Sequence, residues 1–593
     1  MNTFPLIRVK WTNEHFMAAT FGVLVLYMLP VWAENPVDIA SFSAITAFSL
    51  ILDSAINFVR YKKPVCAVSA AVTSSILYIL TPGVPFLLKL SGCAAALLLG
   101  KHIWGGTGKN PVNPAMVGLL FVSIVEKISM AAFSPSLLLI PAMILSIPFI
   151  RFRPYAALGF ITGMLAVTLL KHGLSLDLFP ISGGIFFGCL VLTDPVTVTA
   201  NPLAGTLGGI LTGILPALFE DSYVVLTVNV LVFNLISFVI DNYLRLPDWG
   251  LYKKTVVKKA VEYKNSTYFD LTESEDRNDA VEDLRSLGRD KILERIELNE
   301  VAGLGGAAFP AAVKIKTLMK ASEVEKHLII NGVECDPGLI HDHWLMERCM
   351  KEIAAGIKIL EKCVDFNSVT LAVKQNTILD FPQELKVCFV SDYYPAGAEK
   401  ILIKQVLGKE MPVDEIPAEK GILVLNVQTV FSIYEAVCKN KKADSKLITA
   451  ADLKNGSGYV ARVKLGTNFR SIANALSLYG NLFAGGGAMQ CRNVCDEDVV
   501  DKNINFIAMA RFPKYKESPL CSKCGACTAY CPAKINVNKI AGLVDLRELK
   551  ETKKYEPWKC LQCGNCSRVC LAGRNLSARI KEAKAAKVRS RLD

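Results

Sequence analysis

The start of the 593-residue sequence does not resemble a secretory signal peptide, and none is expected. Residues 1–13 are polar and basic, and no small-residue cleavage site follows the first apolar run. A secreted disulfide framework is therefore not expected, although the chain has 18 cysteines. Eight of these cysteines fall in two short, regular arrays, a pattern that indicates metal binding in a reducing compartment.

The sequence also lacks a continuous basic surface, in spite of a formal net charge of +12. Its lysines and arginines stand in short clusters between apolar segments. Lipid head groups and membrane topology account for such clusters better than a nucleic acid does. We therefore expect a lipid bilayer as a partner and no nucleic acid.

Apolar residues are concentrated in the first 245 positions. They make up 52% of the chain, and the mean hydropathy of +0.35 is high for a soluble protein. Residues 1–245 are predicted to form a polytopic α-helical membrane domain of about ten spans, each near the ~20 residues that cross a bilayer core. The candidate spans are 15–33, 38–58, 65–82, 84–100, 112–126, 134–150, 155–171, 179–193, 203–219 and 222–243. Residues 246–593 resemble ordinary globular sequence, so the chain is expected to be multidomain.

Basic clusters set the predicted orientation of these spans. One cluster, Arg8 and Lys10, precedes the first span. The others follow the second span (Arg60, Lys62 and Lys63), the fourth (Lys101 and Lys109), the sixth (Arg151 and Arg153) and the tenth (Lys253 and Lys254). These clusters fall on one side of the bilayer only if there are ten spans. The expected location is the cell (inner) membrane, multi-pass, with both ends and the C-terminal half on the cytoplasmic side.

Three polar features interrupt the apolar half. Asp53 lies inside the second predicted span, about two helical turns from Arg60. It is either an ion-path carboxylate or, as we favour, one that snorkels or is paired locally near the cytosolic end. The stretches 105–114 and 193–197 combine Gly, Pro, Asn or Asp beside apolar spans. They are either ordinary cytosolic loops or irregular backbone that lines a protected cavity.

The first half resembles the D subunit of the Rnf complex and the related B subunit of the sodium-pumping NADH:quinone reductase. The resemblance runs through KHIWGGTGKNPVNPAM, SGGIFFGCLVLTDPVTV and the last two spans. It implies a fold that carries a flavin linked through phosphate to a threonine of a Ser-Gly-Ala-Thr-like motif. That motif is missing, and the stretch between Met116 and Ile140 is short. These departures argue against covalent FMN in the membrane domain and against a complete ion-pumping path.

A glycine-rich loop, residues 301–310, follows a segment at 246–289 that is predicted to be a charged linker. Glycines let the backbone approach a phosphate closely, although a structural turn explains them equally well. No clear strand precedes the loop, so the context does not fit a Rossmann dinucleotide site. Lys314 is placed to neutralise a phosphate. Residues 327–332 are predicted to be a buried strand, and its polar end suits a flavin ring and ribityl chain.

From about residue 291 onward the sequence resembles the C subunit of the Rnf complex and, more distantly, the flavin-binding subunit of respiratory complex I. Matching segments include ERIELNEVAGLGGAAFPAAVKI and LIINGVECDPGLIHDHWLM. The resemblance implies an α/β FMN-binding domain at 290–450, with non-covalent FMN and with NAD(H) as a candidate second ligand. The residues implied are Gly303, Gly305, Gly306 and Lys314 for the FMN phosphate, Asn331 and Glu334 for the flavin, and Phe309 and Asp336 near a nicotinamide nucleotide.

Residues 451–510 alternate in the manner of strands and then end in glycines. They are similar to the small soluble-ligand-binding β-grasp domain of the same family, which we interpret as a structural spacer. Cys491 and Cys495 follow with a C-x3-C spacing that fits no common metal site. We interpret them as ordinary thiols.

Residues 511–593 contain the two cysteine arrays and are predicted to form an α-helical, ferredoxin-like domain. Both arrays have the C-x2-C-x2-C-x3-C spacing of bacterial two-cluster ferredoxins, whereas zinc ribbons use separated cysteine pairs. Three thiolates of each array bind one [4Fe-4S] cluster, and the fourth completes the other. The predicted ligands are Cys521, Cys524, Cys527 and Cys570 for cluster 1, and Cys560, Cys563, Cys566 and Cys531 for cluster 2.

Together these features predict a fused C–D-type subunit of an Rnf-like membrane oxidoreductase. A flavin linked to NADH or ferredoxin would relay electrons through the two clusters to or from membrane partners, with ion transport as a coupled process. Further subunits of such a complex are the expected partners, and no catalytic residue is predicted. Two alternatives stay open. One is a membrane-anchored electron-delivery module for a partner reductase, without ion pumping or NADH oxidation. The other is a membrane scaffold with structural clusters.

Overall fold

The computed structural model describes residues 4–6, 12–62, 65, 68–126, 154–172, 187–194, 196–199, 201–218, 223–241, 261, 263–272, 287–305, 308–321, 324–412, 415–495, 497–510, 517–518, 521 and 523–589. The predicted span 134–150, about half of the span 179–193, most of the predicted linker and Gly306 lie outside the described residues. So do the basic clusters before the first span and after the sixth and tenth spans.

Apolar helices fill the described part of the predicted membrane half. They are α1 (Asn13–Glu34), α2 (Val37–Tyr61), α3 (Ser69–Leu80), α4 (Phe86–Leu97), α5 (Pro114–Val125), α6 (Pro154–His172), α7 (Pro202–Leu218) and α8 (Tyr223–Val239), with π-helical turns at Leu98–His102 and Phe187–Val191. Among the described residues, α2 and α6 are long and apolar enough to cross a membrane, by length and composition. The other predicted spans that are described coincide with shorter or less apolar helices, so the number of spans stays a prediction.

Helices α6 and α7 approach each other through two Gly-x-x-x-Gly pairs. Gly159 and Gly163 in α6 face backbone carbonyl groups of α7, and Gly209 and Gly213 in α7 face those of α6. A methyl group added at any of these positions would lie 2.2–2.4 Å from a carbonyl oxygen of the facing helix. Small residues at this spacing allow close backbone contact, which is how helices associate where lipid removes the hydrophobic driving force.

The α/β region is built on a four-stranded parallel sheet. Its strands are β2 (His327–Gly332), β3 (Ser368–Lys374), β4 (Val387–Val390) and β5 (Ile422–Asn426), in the order β4-β3-β2-β5. Strands β2 and β5 are buried along almost their whole length, as in sheets covered on both faces. The covering helices are α9 (Arg289–Leu298), α10 (Ala311–Lys320), α11 (His341–Arg348), α12 (Met350–Cys363), α13 (Glu399–Leu407) and α14 (Val427–Cys438).

A second, six-stranded sheet has the order β1-β7-β6-β10-β8-β9. Its strands are β1 (Asn265–Asp270), β6 (Ser445–Asp452), β7 (Ser457–Lys464), β8 (Leu482–Gly485), β9 (Cys491–Asn493) and β10 (Phe506–Met509), with helix α15 (Phe469–Ala475) between β7 and β8. Strand β1 lies inside the segment predicted to be a linker. It pairs in parallel with β7, in the register Asn265 to Ser457, so this part of the segment belongs to the sheet.

The cysteine-array region is helical. Its helices are α16 (Ala526–Ala529), α17 (Val537–Asp545), α18 (Asn565–Arg568) and α19 (Leu576–Arg589), with 3-10 turns at Leu549–Tyr555 and Pro557–Lys559. Apolar residues of α17 and α19 pack together with Cys531 and Cys566 in one core. The two arrays are therefore folded around the same small interior.

Candidate functional site

The glycine-rich loop lies between α9 and α10 and follows a helix, as expected from the absence of a preceding strand. The Gly303 N–H donates to the Phe309 carbonyl oxygen at 2.8 Å, which closes the loop. The Leu304 N–H donates to Thr429 Oγ1 at 3.0 Å. Gly305 packs against Asn426, and a methyl group added there would lie 3.2 Å from Asn426 Cβ. The loop is thus held over the start of α14.

Two other predicted residues lie at the rim of this loop. Phe309 is 45% exposed, so its ring is available for contact. Lys314, on the first turns of α10, pairs with Glu399 at 3.1 Å between Nζ and Oε1. This lysine is therefore already engaged with a carboxylate.

The carboxyl ends of the parallel strands β2 and β5 meet beside the loop. Asn331 and Asn426 are register partners. The Asn331 side chain donates to the Gly397 carbonyl oxygen at 2.9 Å and accepts the Val333 N–H at 3.1 Å. Ligands of open α/β sheets bind at this kind of strand edge. Sequence reasoning missed Asn426 and Thr429; the signal was an Asn that ends an apolar strand and caps the next helix.

Glu334 is held in a network just beyond β2. Its Oε1 accepts the Asp342 N–H at 2.7 Å, and its backbone φ of +36° is unusual for a residue with a side chain. Asn426 donates to the Asp342 carboxylate at 2.7 Å, which links both strand ends to this network. Burial and the Asp342 carboxylate raise the pKa of Glu334 to about 8. Both effects favour the protonated form of this carboxyl.

Asp336 lies between the α/β region and the second sheet. The Met489 N–H donates to its Oδ1 at 3.3 Å, and the Tyr394 hydroxyl also contacts it. A methyl group added at Gly487 would lie 2.1 Å from Asp336 Cγ, so only glycine fits at that position. Burial raises the pKa of Asp336 to about 7, against the lowering effect of the Met489 N–H. Asp336 thus joins two folded regions through a half-buried, titratable contact.

The same contact continues to the second cysteine array. The Tyr394 hydroxyl donates to the Cys563 carbonyl oxygen at 2.8 Å, and Asn565 donates to the Tyr394 carbonyl oxygen at 3.4 Å. Tyr394, Met489 and Cys563 form a small buried cluster with Cys335 packed against it. The end of strand β2 is therefore connected to the second array through directly packed residues.

The eight array cysteines lie in two groups. Cys527 has Cys524, Cys521 and Cys570 as its thiol neighbours, and Cys563 has Cys560 and Cys531. Burial, followed by the neighbouring thiols, raises the pKa of Cys527 well above its usual value. Cys566 neighbours its own group and also Cys527, so the groups are adjacent. The fourth cysteine of each array thus lies with the first three of the other.

Both arrays repeat one backbone conformation. Lys523 and Gln562, each just before the second cysteine, have φ of +48° and +55°. Gly525 and Gly564, each just after it, have φ of +75° and +76°. The left-handed conformation at both glycines explains why glycine occurs at this position of each array.

The remaining cysteine pair has no such arrangement. Cys491 is fully buried, and its thiol donates to the Gly487 carbonyl oxygen at 3.1 Å, whereas Cys495 is exposed. This agrees with their interpretation as ordinary thiols.

In the membrane half, Asp53 is the centre of a buried polar cluster. Its Oδ1 lies 2.7 Å from Lys101 Nζ and 2.9 Å from His102 Nε2, and Asn57 donates to its Oδ2 at 2.8 Å. Asp53 is therefore a paired carboxylate, as favoured above, but its partner is not Arg60, which donates instead to the His102 carbonyl oxygen at 2.9 Å. The π-helical turn at 98–102 presents both basic residues to the carboxylate.

The two polar interruptions are ordered turns. Asn113 caps α5 by accepting the Ala115 N–H at 3.0 Å, and its own N–H donates to Asn234 of α8 at 2.9 Å. In the second stretch, Asp194 accepts the Val196 N–H at 3.0 Å and the Thr197 hydroxyl at 2.9 Å. Both loops are therefore fixed by their own side chains.

Three family models match separate parts of the chain. Residues 2–137 match the NQR2, RnfD, RnfE family, residues 296–435 match the Nuo51 FMN-binding domain, and residues 513–571 match the 4Fe-4S dicluster domain. The C subunit of the ion-translocating oxidoreductase complex of Buchnera aphidicola subsp. Acyrthosiphon pisum (strain APS) is 28% identical over 311 residues, which are 50% of this chain. The chain thus combines a region similar to the NQR2, RnfD, RnfE family with a region similar to C subunits of ion-translocating oxidoreductase complexes.

Two further relatives have the same kind of name. The C subunit of the Na(+)-translocating ferredoxin:NAD(+) oxidoreductase complex of Acetobacterium woodii is 26% identical and covers 44% of this chain. The C subunit of the ion-translocating oxidoreductase complex of Rhodobacter capsulatus is 28% identical and covers 45%. The chain spans only part of these relatives: 65% of the Buchnera protein, 61% of the Acetobacterium protein and 54% of the Rhodobacter protein.

Among solved structures, an NAD+-reducing [NiFe]-hydrogenase in the air-oxidised state has 18% identity, a TM-score of 0.36, and coverage of 51% of this chain and 66% of its own. The family matches confirm the predictions of FMN binding in the soluble half and of iron–sulfur clusters in the array region. They also support membrane association of the first half.

Proposed function

We propose that this chain is an RnfD–RnfC fusion and a membrane-bound electron-transfer subunit of an Rnf-like oxidoreductase. The observation that carries the proposal is the run of contacts from Asp336, just beyond strand β2, through Tyr394 to Cys563. A flavin pocket and a cluster site that share packed residues suit short-range electron transfer. The relatives named above, which belong to ion-translocating oxidoreductase complexes, support the same assignment.

The residues around the glycine-rich loop fit an FMN. Gly303 and Gly305 add no side chain to the loop, so a phosphate can approach its backbone closely, and Lys314 on the following helix is a candidate cation for it. We propose that Gly306 completes this phosphate site. Asn331 and Glu334 would contact the flavin ring and chain, while Phe309 and Asp336 would face a nicotinamide nucleotide. FMN, when bound, exchanges electron pairs for single electrons; the chain's residues bind it, orient it and exclude water around it.

The array cysteines fit two [4Fe-4S] clusters because thiolates are the ligands of such clusters and the thiols lie in two groups of four. We propose Cys521, Cys524, Cys527 and Cys570 for cluster 1 and Cys560, Cys563, Cys566 and Cys531 for cluster 2. Cluster 2 then lies next to the flavin pocket, and cluster 1 lies beyond it.

Cysteine variants test this crossed ligation. Cys570→Ala should lose the same electron paramagnetic resonance signal as Cys521→Ala, and Cys531→Ala should lose the same signal as Cys563→Ala. Cys495→Ala is the matched control and should retain both signals, since this thiol is exposed and outside both groups. If Cys570→Ala instead abolished the signal lost in Cys560→Ala, the crossed assignment would be wrong.

We further propose about ten spans, with both ends of the membrane half on the cytoplasmic side. The start of α1 and the end of α8 both lie near the array region, which supports an even number of crossings. A β-grasp fold for the second sheet is supported by its order of hairpin, helix and returning strand, with β10 parallel to β6. Single cysteines introduced into the loops test the orientation, with a membrane-impermeant thiol reagent added outside right-side-out vesicles. Cysteines in the loops that we place on the cytoplasmic side should stay unlabelled. Labelling of any of them would contradict the orientation.

The donor and the coupled ion are parts of the proposal that need direct measurement. Anaerobic addition of NADH or of reduced ferredoxin to the intact protein should reduce the clusters, as followed by their visible absorbance. Unchanged spectra with both donors would overturn the assignment. In proteoliposomes that hold the partner subunits, sodium- or proton-dependent turnover would favour ion coupling. Turnover independent of both ions would instead favour the electron-delivery module.

A further inference from the structure

The N-terminal segment of the membrane half pairs with the soluble half. The Phe4 N–H donates to the Cys491 carbonyl oxygen at 2.7 Å, and the Cys491 N–H donates to the Phe4 carbonyl oxygen at 3.1 Å. The Leu6 N–H donates to the Ala488 carbonyl oxygen at 2.9 Å, and the Phe4 ring meets the edge of the Phe483 ring. Strand β9 is an edge of the six-stranded sheet, and edge strands accept a further strand readily.

A second contact joins the first membrane helix to the array region. The Asn13 N–H, at the start of α1, donates to the Leu571 carbonyl oxygen at 3.0 Å. Leu571 directly follows Cys570, the last cysteine of the second array. A backbone donor that α1 cannot satisfy internally is thus satisfied by the cysteine-array loop.

A third contact is ionic and lies at the first array. Lys523, between Cys521 and Cys524, lies near enough to two carboxylates for both to favour its charged form: Asp241, two residues beyond α8, and Asp194 of the second polar stretch; Lys109 of the first stretch repels it. Lys539 of α17 also faces Asp241. Asp241 accepts the Thr199 hydroxyl at 2.6 Å, which holds its carboxylate at the end of the helix bundle.

We propose that these three contacts form a docking seam that seats the array region on the polar loops of the membrane half. The seam comprises the residue 4–6 strand on β9, the Asn13–Leu571 bond, and Lys523 against Asp194 and Asp241. It turns the first array toward the membrane half, while the second array faces the α/β strand edge. This inference is independent of the proposed function, because the contacts of the seam can be measured in the resting protein without any electron transfer.

The seam gives the polar stretch 193–197 a role that its composition alone left open. With Asp241, it is part of the surface of the membrane half that receives the first array. Sequence reasoning could not find this partner, since Lys523 is more than 250 residues from both carboxylates.

Zero-length carbodiimide cross-linking of the full-length, iron-loaded protein tests the ionic part. Wild type should give a Lys523–Asp241 or Lys523–Asp194 cross-linked peptide by mass spectrometry, and Lys523→Gln should abolish it. Lys550→Gln removes the same charge at an exposed position of the same region and should leave the cross-link intact. If Lys523→Gln lost its iron, Asp241→Asn would test the seam from the membrane side without touching the array. Absence of both cross-links in iron-loaded wild type would overturn the ionic contact.

Hydrogen exchange of the same full-length protein tests the strand. Leu6→Pro removes the N–H that bonds to Ala488 and should speed exchange at the Cys491 amide about tenfold. Pro5→Ala keeps both neighbouring donors and should leave the exchange rate as in wild type. Equal exchange rates at Cys491 in wild type, Leu6→Pro and Pro5→Ala would overturn the strand contact. Loss of NADH- or ferredoxin-driven reduction with the seam intact would contradict the proposed function alone.

Discussion

The contact between α6 and α7 makes a quantitative prediction for the membrane half. A methyl group added at Gly209 would lie 2.2 Å from the Ala156 carbonyl oxygen, and one added at Gly163 would lie 2.4 Å from the Ile210 carbonyl oxygen. Non-bonded carbon and oxygen need more than 3 Å, so the helices must separate by about 1 Å at the altered point. Overpacking of this size costs about 1–3 kcal/mol. Gly209→Ala is therefore expected to lower the free energy of unfolding by about that amount.

The assay is a denaturant titration of the purified protein in detergent, followed by the fluorescence of its tryptophans. Gly22→Ala in α1 is the matched control, because a methyl group there meets no atom within 4 Å. Alanine is also the better helix former, so the control should be as stable as wild type or slightly more stable. If Gly209→Ala were as stable as Gly22→Ala, the close packing of α6 on α7 would be refuted.

Three further predictions concern buried polar contacts. Tyr394→Phe removes the donor to the Cys563 carbonyl oxygen, and leaving this buried acceptor unpaired costs about 1–3 kcal/mol of stability. A chelator should therefore release iron faster from cluster 2 in the variant than in wild type, while release from cluster 1 is unchanged. Asp336 has its pKa raised to about 7, so its folded form holds a proton that the unfolded chain loses near pH 4. The free energy of unfolding of the soluble half, measured with urea, should therefore fall as pH rises from about 4 to about 7. Asp336→Asn should remove the contribution of this carboxyl to that decrease. The same dependence of the unfolding free energy on pH in wild type and variant would contradict the prediction. Asp53→Asn leaves Lys101 buried without its carboxylate and should lower stability by about 3–5 kcal/mol, whereas the double variant Asp53→Leu/Lys101→Met should recover most of the loss in detergent melting.

The cysteine arrays were predictable because their chemistry is local in sequence. Each array sets its own turn geometry, with left-handed backbone before and after the second cysteine, and so the spacing alone indicates the ligand type. Strand β2 was predictable for a similar reason: the short apolar run Leu328 to Ile330, followed by polar residues, indicates a buried strand of an α/β sheet. The family resemblance then added the FMN assignment that spacing could not supply.

The features that the sequence did not reveal depend on long-range pairing. Asp53 takes its partners from a π-helical turn 48 and 49 residues away, not from Arg60 on its own helix. Strand β1 joins a sheet whose partner strand lies almost 200 residues later, so its polar composition resembled that of a linker. A strand at the edge of a sheet has few buried apolar side chains, so its sequence does not show the apolar pattern of a strand. Neither β1 nor residues 4–6 could therefore be recognised from the sequence pattern alone.

The central claim is that one chain carries a flavin and two clusters in a continuous relay on a membrane anchor. Anaerobic cofactor analysis of the intact, detergent-purified protein tests it most directly, by measuring iron, acid-labile sulfide, extractable FMN and protein-bound flavin in one preparation. The account predicts about eight iron atoms and eight sulfides per chain, since each of two clusters holds four of each, together with about one extractable FMN. Iron near four per chain, or no extractable FMN in a preparation with full iron, would contradict it.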